Sequence, residues 1–564
     1  MDVKDRSGAG PEYRSFGRMA AVGAVILFLV YYLYHLSFGI HLDELLFMDL
    51  GVSLVKGMKL VVENYSPYQF SELIQYPFMK TYYLLRGDFT GIVLFMRYVY
   101  AGIQLLLAAY IYFSLRSRSK SLAFVVSSMH FLYRYHWPTI NYKALLYWGT
   151  ILLSFSLYHY VRTDRTRYLA LASAGIMIAA FGNPYAVILS IPTVIALLRL
   201  MERKKAWRAI VYAALFCVGT GLMLVLILAG IGGWDRFLQC LPYLFGDGTS
   251  QHKLTSAHRL TRLFIPIACL GLVENGVVFG IDRMAERKGR RLPWEKVLSG
   301  VFLLALLVIC GARIRSAGPS RFWYVLLAVF LLVPFWYKKS ECTDSEKKKV
   351  LYLFLLPACF MILVAILSTN QGIAVVAYGC VVGLFGIVML NWKEPFGQKG
   401  GNMLGRLILA MLLFVAVFYV PEDGSANMLQ KRIPVTEGPL RGIYAGEEIS
   451  RMSREVCAVV AKQVTAEDRL LIVADTEEAL IGQAASAGSY GGKPGGIGRG
   501  RNTIDSGRNL LLYEVSPDRM PTVVIVDRKY MDGIPWMTET QFWQYIDSRY
   551  QEADGTNDQF LVMR

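Results

Sequence analysis

The residues of this 564-residue chain best suited to chemistry gather in one stretch: His41-Leu-Asp43-Glu44-Leu-Leu-Phe-Met-Asp49-Leu-Gly51, followed by Gly57. Two adjacent carboxylates suit general-base work, since an ionised carboxylate beside a hydroxyl takes its proton as the oxygen attacks. The pair stands just after an apolar run, residues 19–39, where a spanning helix would meet water. Ionisable groups at membrane depth are expensive and tend to be functional. An acidic pair that only marks the water boundary is the alternative reading. The apolar residues Leu45, Leu46, Met48, Val52, Leu54 and Val55 predict an amphipathic helix along the membrane surface.

What must position this stretch is an α-helical polytopic membrane protein. The chain is 55% hydrophobic and only 18% charged, whereas an ordinary soluble domain is about 25% charged. That balance excludes a disordered or nucleic-acid-binding protein. We read about thirteen apolar spans, near 19–39, 90–115, 121–134, 143–161, 168–181, 184–200, 209–231, 261–281, 297–313, 321–337, 350–368, 372–392 and 405–420, each near the length a bilayer requires. Alternate connections are basic: Arg116 to Lys120, Arg162 to Arg167, Arg203 to Lys205, Arg287 to Arg291, and Lys338 to Lys349. Basic short loops stay in the cytoplasm. The N-terminus is therefore expected in the cytoplasm, and the first outer loop, residues 40–89, outside. The net charge of +17 largely records this topology. From Pro421 onward the chain holds 16 Lys and Arg against 21 Asp and Glu, about −5, which leaves about +22 for the first 420 residues.

Residues 421–445 read as a linker, and 446–564 as a small extracytoplasmic α/β domain. Ile449, Met452, Val456, Val459, Val460 and Val464 recur at helical spacing, and Leu470 to Val473 and Thr522 to Val526 are strand candidates. The glycine-rich stretch Gly488 to Gly500 lacks phosphate-loop spacing, because Lys493 is followed by Pro494 and not by Ser or Thr. The eight cysteines form no disulfide framework.

After the carboxylate pair come Tyr65-Ser-Pro67-Tyr68, then Gln75-Tyr76-Pro77-Phe78-Met79-Lys80, a Gly87 turn, and Arg97 in the next span. This arrangement resembles the GT-C superfamily of integral-membrane glycosyltransferases, most of all the branch of protein O-mannosyltransferases and lipid A aminoarabinose transferases. The specific part covers residues 19–115, and the remainder agrees in layout. The resemblance implies a sugar donor on a polyprenyl phosphate, an acceptor that is a glycan, lipid or protein, and Asp43 as general base with Glu44 beside it. It also implies that some members use a divalent cation. The family's residue before the motif proline is often charged. Here it is Tyr76, preceded by Gln75, so Glu72, Lys80 or Arg86 would have to supply charge at the donor phosphate.

A leaving phosphate needs a cation, and Arg pairs its oxygens as a fork. Besides Arg97, the outer loop 232–260 offers His252, His258 and Arg259, where a lipid-facing basic loop is the alternative. His130, Arg134 and His136 form a second group beside aromatic anchors. Asp43, Glu44 and Asp49 lie close in sequence, but no second acidic pair has metal-ligand character. Two other readings stay open: a transporter or flippase of lipid-linked glycans, for which Arg97 and Glu274 are the mid-span charges, and a catalytically silent scaffold.

Overall fold

The computed structural model describes residues 23, 25–64, 69–133, 138–245, 265–290, 292–312, 320–368, 377–392, 403–418, 432–491 and 508–564. The chain is mostly helical. Among the described residues five helices are long and apolar enough to cross a membrane: Ile92–Leu115, Tyr142–Thr163, Arg203–Gly232, Ile265–Arg287 and Asp344–Leu367. Shorter apolar helices accompany them, beginning with Val25–His35. Large apolar side chains on Arg203–Gly232 face outward, with Leu215 68% and Val218 67% exposed. A surface of that kind is expensive in water and free in lipid.

In the first part of the chain, α1 is Val25–His35, α2 Leu42–Val55, α3 Glu72–Arg86, α4 Ile92–Leu115, α5 Lys120–Leu132, α6 Tyr142–Thr163 and α7 Thr166–Gly182. Local signals set their ends. α2 stops before Gly57, whose φ of 96° suits glycine, and the Met58 amide closes back on the Ser53 carbonyl. α3 ends likewise on Gly87 at φ 80°. Ser119 caps α5, and Asn141 caps α6 by accepting from the amides of Lys143 and Ala144, each at 2.9 Å. α6 and α7 approach closely through glycine: a Cβ at Gly149 would collide with the Gly175 carbonyl oxygen.

The expected span 321–337 is two helices, Ser320–Leu331 and Val333–Lys339. Pro334 cannot supply a helical amide. The Asn275 side chain bridges the break, donating to the Leu331 carbonyl at 2.8 Å and accepting from the Phe335 amide at 3.2 Å.

Two of the basic connections, Arg116 to Lys120 and Lys338 to Lys349, meet each other. Arg118 pairs with Glu346 at 3.2 Å and donates to the Met389 carbonyl at 2.9 Å. The first loop packs against the C-terminal region. There the segment expected to be a linker is folded from Arg432 onward. β1 (Ile433–Pro434) and β2 (Tyr444–Ala445) pair antiparallel. Val435, Leu440 and Ile443 are buried, and the amides of Gly91 and Val93 donate to the Gly438 and Pro439 carbonyls. Tyr444 also bridges to Phe38 and stacks on its ring at 4.9 Å.

Beyond this hairpin lies a four-stranded sheet of β3 (Arg469–Val473), β4 (Ser489–Tyr490), β5 (Val523–Asp527) and β6 (Phe560–Met563), in the order β4-β3-β5-β6. β3 runs parallel to both neighbours, and β6 is antiparallel to β5. Helices Glu447–Gln463, Thr476–Ala485 and Arg508–Val515 accompany it. The Thr476–Ala485 helix packs on α2. That contact corrects the expectation of an amphipathic surface helix: Glu44, Asp49 and Ser53 are as buried as Leu45, Met48 and Val52, because protein covers both sides of α2.

Candidate active site

Asp43 occupies the first turn of α2 and Glu44 follows it. A helix N-terminus favours carboxylates, because its unpaired amides carry partial positive charge. Glu44 is fully buried and holds Arg97 of α4 as a fork: Arg97 Nε lies 2.7 Å from Oε1 and Nη2 2.5 Å from Oε2. The rest of the guanidinium serves the connection between α1 and α2. Nη1 donates to the Leu36 carbonyl at 2.6 Å and to Phe38 at 3.4 Å, and Nη2 to Gly39 at 2.8 Å. A guanidinium has five N–H donors, and all five are spent on protein. The pair therefore fixes the backbone on which Asp43 sits. It also engages both Glu44 oxygens. Among the described residues no group of three or more His, Cys, Asp or Glu side chains is placed to bind a metal.

α3 presents two faces. Glu72, Gln75 and Met79 are buried. Ser71 Oγ donates to Glu72 Oε1 at 2.9 Å, and Gln75 Nε2 donates to the Ile140 carbonyl at 2.6 Å. Met79 fills the space over Gly51, where an added Cβ would collide with its sulfur. Tyr76 and Lys80 belong to the other face: Tyr76 is exposed, and Lys80 Nζ stands 5.6 Å from the Tyr83 ring. The structure thus brings Gln75 and Glu72 toward α2 and the start of α6, and turns Tyr76 and Lys80 away. His252, His258 and Arg259 lie outside the described residues, as do Arg134 and His136. His130 is buried with Nδ1 3.1 Å from the Tyr147 hydroxyl. Glu274 is half-buried.

Three polar features escape a reading of the sequence. Lys143 is one. It is 3% exposed, sits in the first turn of α6, and holds Nζ 5.3 Å from the Tyr142 ring. The Tyr142 ring lies 5.5 Å from that of Phe47, and Phe47 shares a helix face with Asp43 one turn away. A lysine opposes the helix dipole in a first turn, and that mismatch was the available signal. Lys56 is the second. It donates to the carbonyls of Ser486 at 2.7 Å and Gly488 at 3.1 Å, and burial pushes its pKa down to about 7, with Asp49 opposing the shift. The third is the Glu63–Arg519 pair at 3.0 Å, whose carboxylate is fully buried; Arg519 also donates to the Gly57 carbonyl. Long-range pairs of this kind leave no local pattern.

No family model and no curated protein matches the chain. Similar solved structures include ArnT from Cupriavidus metallidurans, in the apo state and bound to undecaprenyl phosphate, at 12% identity and TM-score 0.38, over 96% of this chain and 98% of that one. Another is the oligosaccharyltransferase of Archaeoglobus fulgidus in complex with Zn and sulfate, at 12% identity and TM-score 0.43, over 90% of this chain and 67% of that one. A third is the archaeal oligosaccharyltransferase AglB from Archaeoglobus fulgidus, with an inhibitory peptide and a dolichol-phosphate, at 11% identity and TM-score 0.41, over 91% and 69% of the two chains. The functional reading rests on the site residues rather than on these likenesses.

Proposed function

We propose that this chain is a membrane glycosyltransferase that moves a sugar from a polyprenyl-phosphate donor to an acceptor hydroxyl at the outer face. The observation that carries the reading is the first turn of α2: a carboxylate position, Asp43, fixed by the buried Glu44–Arg97 fork. A fold spends a saturated arginine on one short turn when the position of that turn matters. The sequence resemblance to GT-C enzymes points to the same residue.

The chemistry requires few parts. The acceptor oxygen bonds to the anomeric carbon as the bond from that carbon to the donor phosphate oxygen breaks. Asp43 takes the acceptor's proton, a step of general-base type worth roughly 10²–10⁴-fold. The phosphate leaves carrying the bonding electron pair and remains on its lipid. Glu44 and Arg97 act as positioning residues. Holding the reacting groups in place supplies much of the remaining acceleration. No step is routed through a metal.

About thirteen spans, a cytoplasmic N-terminus and an extracytoplasmic C-terminal domain complete the proposal. The basic loops, and the contact of Arg118 with Glu346 and the Met389 carbonyl between two of them, support it. The test is reconstitution with a panel of sugars on polyprenyl phosphate and candidate acceptors, scored by release of free polyprenyl phosphate. Acceptor-dependent release is expected. Movement of the lipid-linked sugar between leaflets without release would overturn the reading in favour of a flippase.

A further inference from the structure

The connection between α1 and α2 is held along two edges. On one edge Arg97 donates to the carbonyls of Leu36, Phe38 and Gly39. A guanidinium only donates, so it cannot satisfy an amide. Tyr444 of β2 meets the other edge. Its amide donates to the Ser37 carbonyl at 2.7 Å, and its carbonyl accepts from the Gly39 amide at 2.9 Å. These two bonds make a parallel bridge centred on Phe38, and the Tyr444 ring stacks on the Phe38 ring at 4.9 Å and 15°. The amides of Leu36, Ser37 and Phe38 close back into the last turn of α1. Every backbone N–H and C=O from Leu36 to Gly39 therefore has a partner. Gly39, at φ 74°, turns the chain toward α2, and Asp43 stands one helical turn beyond it.

The hairpin that carries Tyr444 is also tied to α4. The first amides of a helix have no partner within it. At α4 the Gly438 and Pro439 carbonyls accept from the amides of Gly91 and Val93 at 3.0 and 3.2 Å. Arg97 lies one turn beyond Val93. The hairpin thus touches both arms that grip the connection, Tyr444 directly and Arg97 through the start of its helix. We propose that the hairpin 433–445 completes the proton-accepting site from the far end of the chain, with Tyr444 as a positioning residue for Asp43, a proposal that rests on the transferase reading. Asp43 must come within about 2.6–3.2 Å of the acceptor hydroxyl, and a misplacement of about 1 Å costs about 10²-fold in rate. The C-terminal region is in this way part of the catalytic apparatus and not a module appended to it.

The test uses full-length protein in lipid nanodiscs. It measures single-turnover transfer with the polyprenyl-phosphate sugar pre-bound, donor affinity, and hydrogen exchange of residues 36–44. Tyr444→Ala removes the ring and keeps both backbone bonds. It should slow transfer about ten- to hundredfold at unchanged donor affinity. It should also speed exchange at residues 36–44 about two- to tenfold, the worth of an aromatic pair, and leave the helix Arg508–Val515 unchanged. Tyr444→Phe keeps the ring and should recover both. Phe38→Ala removes the other ring and should give the same loss; it decides the matter if Tyr444→Ala does not fold. The double variant should be no slower than either single, because one stack is lost only once. A wild-type transfer rate in Tyr444→Ala alongside faster exchange would show that the turn can move at no cost to the reaction, and would overturn the proposal. So would unchanged exchange at residues 36–44, additive losses in the double variant, or a slowing matched by weakened donor binding. Absence of sugar transfer by wild type refutes the transferase reading and the role of Tyr444 in it, while the exchange measurement still decides whether the hairpin holds the connection.

Discussion

Replacing Arg97 by Met should damage this protein more than any other single exchange in α4. The substitution keeps length and apolar bulk but leaves Glu44 buried without its cation. It also strips donors from the Leu36 and Gly39 carbonyls. Breaking a buried pair by removing one partner costs about 3–5 kcal/mol. The lost carbonyl contacts act in the same direction. Glu44→Gln should cost less, since a neutral amide can still accept from the guanidinium. The double variant Glu44→Gln, Arg97→Met should be more stable than Arg97→Met alone, because no uncompensated charge remains. Unfolding by detergent titration on all four proteins gives the coupling energy, expected to exceed about 1 kcal/mol. Arg97→Lys should not rescue, because an ammonium cannot form the fork. Strict additivity, or a wild-type midpoint for Arg97→Met, would refute the positioning argument.

Gly51→Val should drive a side chain into Met79 and cost about 1–3 kcal/mol; a thermal midpoint restored by adding Met79→Ala would identify that clash, and no restoration would deny it. The amine of Lys56 has its pKa depressed from 10.5 to about 7 by burial where it docks against Ser486 and Gly488. The undocked chain therefore binds more protons between these values, and docking should tighten as pH rises from about 7 to about 10. Hydrogen exchange of residues 42–55 at about pH 6.5 and about pH 9 should report this, and Lys56→Met should flatten the response; equal pH slopes would count against it. Arg519→Ala leaves the buried Glu63 carboxylate without its cation and should loosen the C-terminal region, read as faster proteolysis between residues 432 and 491. Unchanged cleavage would contradict that.

Much of the helical layout was legible because lipid exposure and basic loops write themselves into composition. Residues 90–115 and 143–161 fall on Ile92–Leu115 and Tyr142–Thr163 for that reason. The parallel strands β3 and β5 also announced themselves, as short runs of Leu, Ile and Val buried on both faces. Within the expected linker 421–445, Pro, Gly and charge mark the turn of the hairpin 433–445, a pairing that composition does not distinguish from a plain connection. The burial of α2 could not be read locally, since its cover comes from the distant helix Thr476–Ala485. The same holds for the site. Asp43 and Glu44 stand out as a pair, but that Glu44 is consumed by Arg97 depends on an encounter between two helices. Lys143 stands at the start of the expected span 143–161, and only the fold shows it buried.

The central claim is that Asp43 takes the acceptor's proton. Single-turnover transfer by reconstituted wild type and Asp43→Asn, with the polyprenyl-phosphate sugar pre-bound, measures it most directly. The account predicts unchanged donor binding and a rate roughly 10²–10⁴-fold lower in the variant. A wild-type single-turnover rate in Asp43→Asn would contradict it.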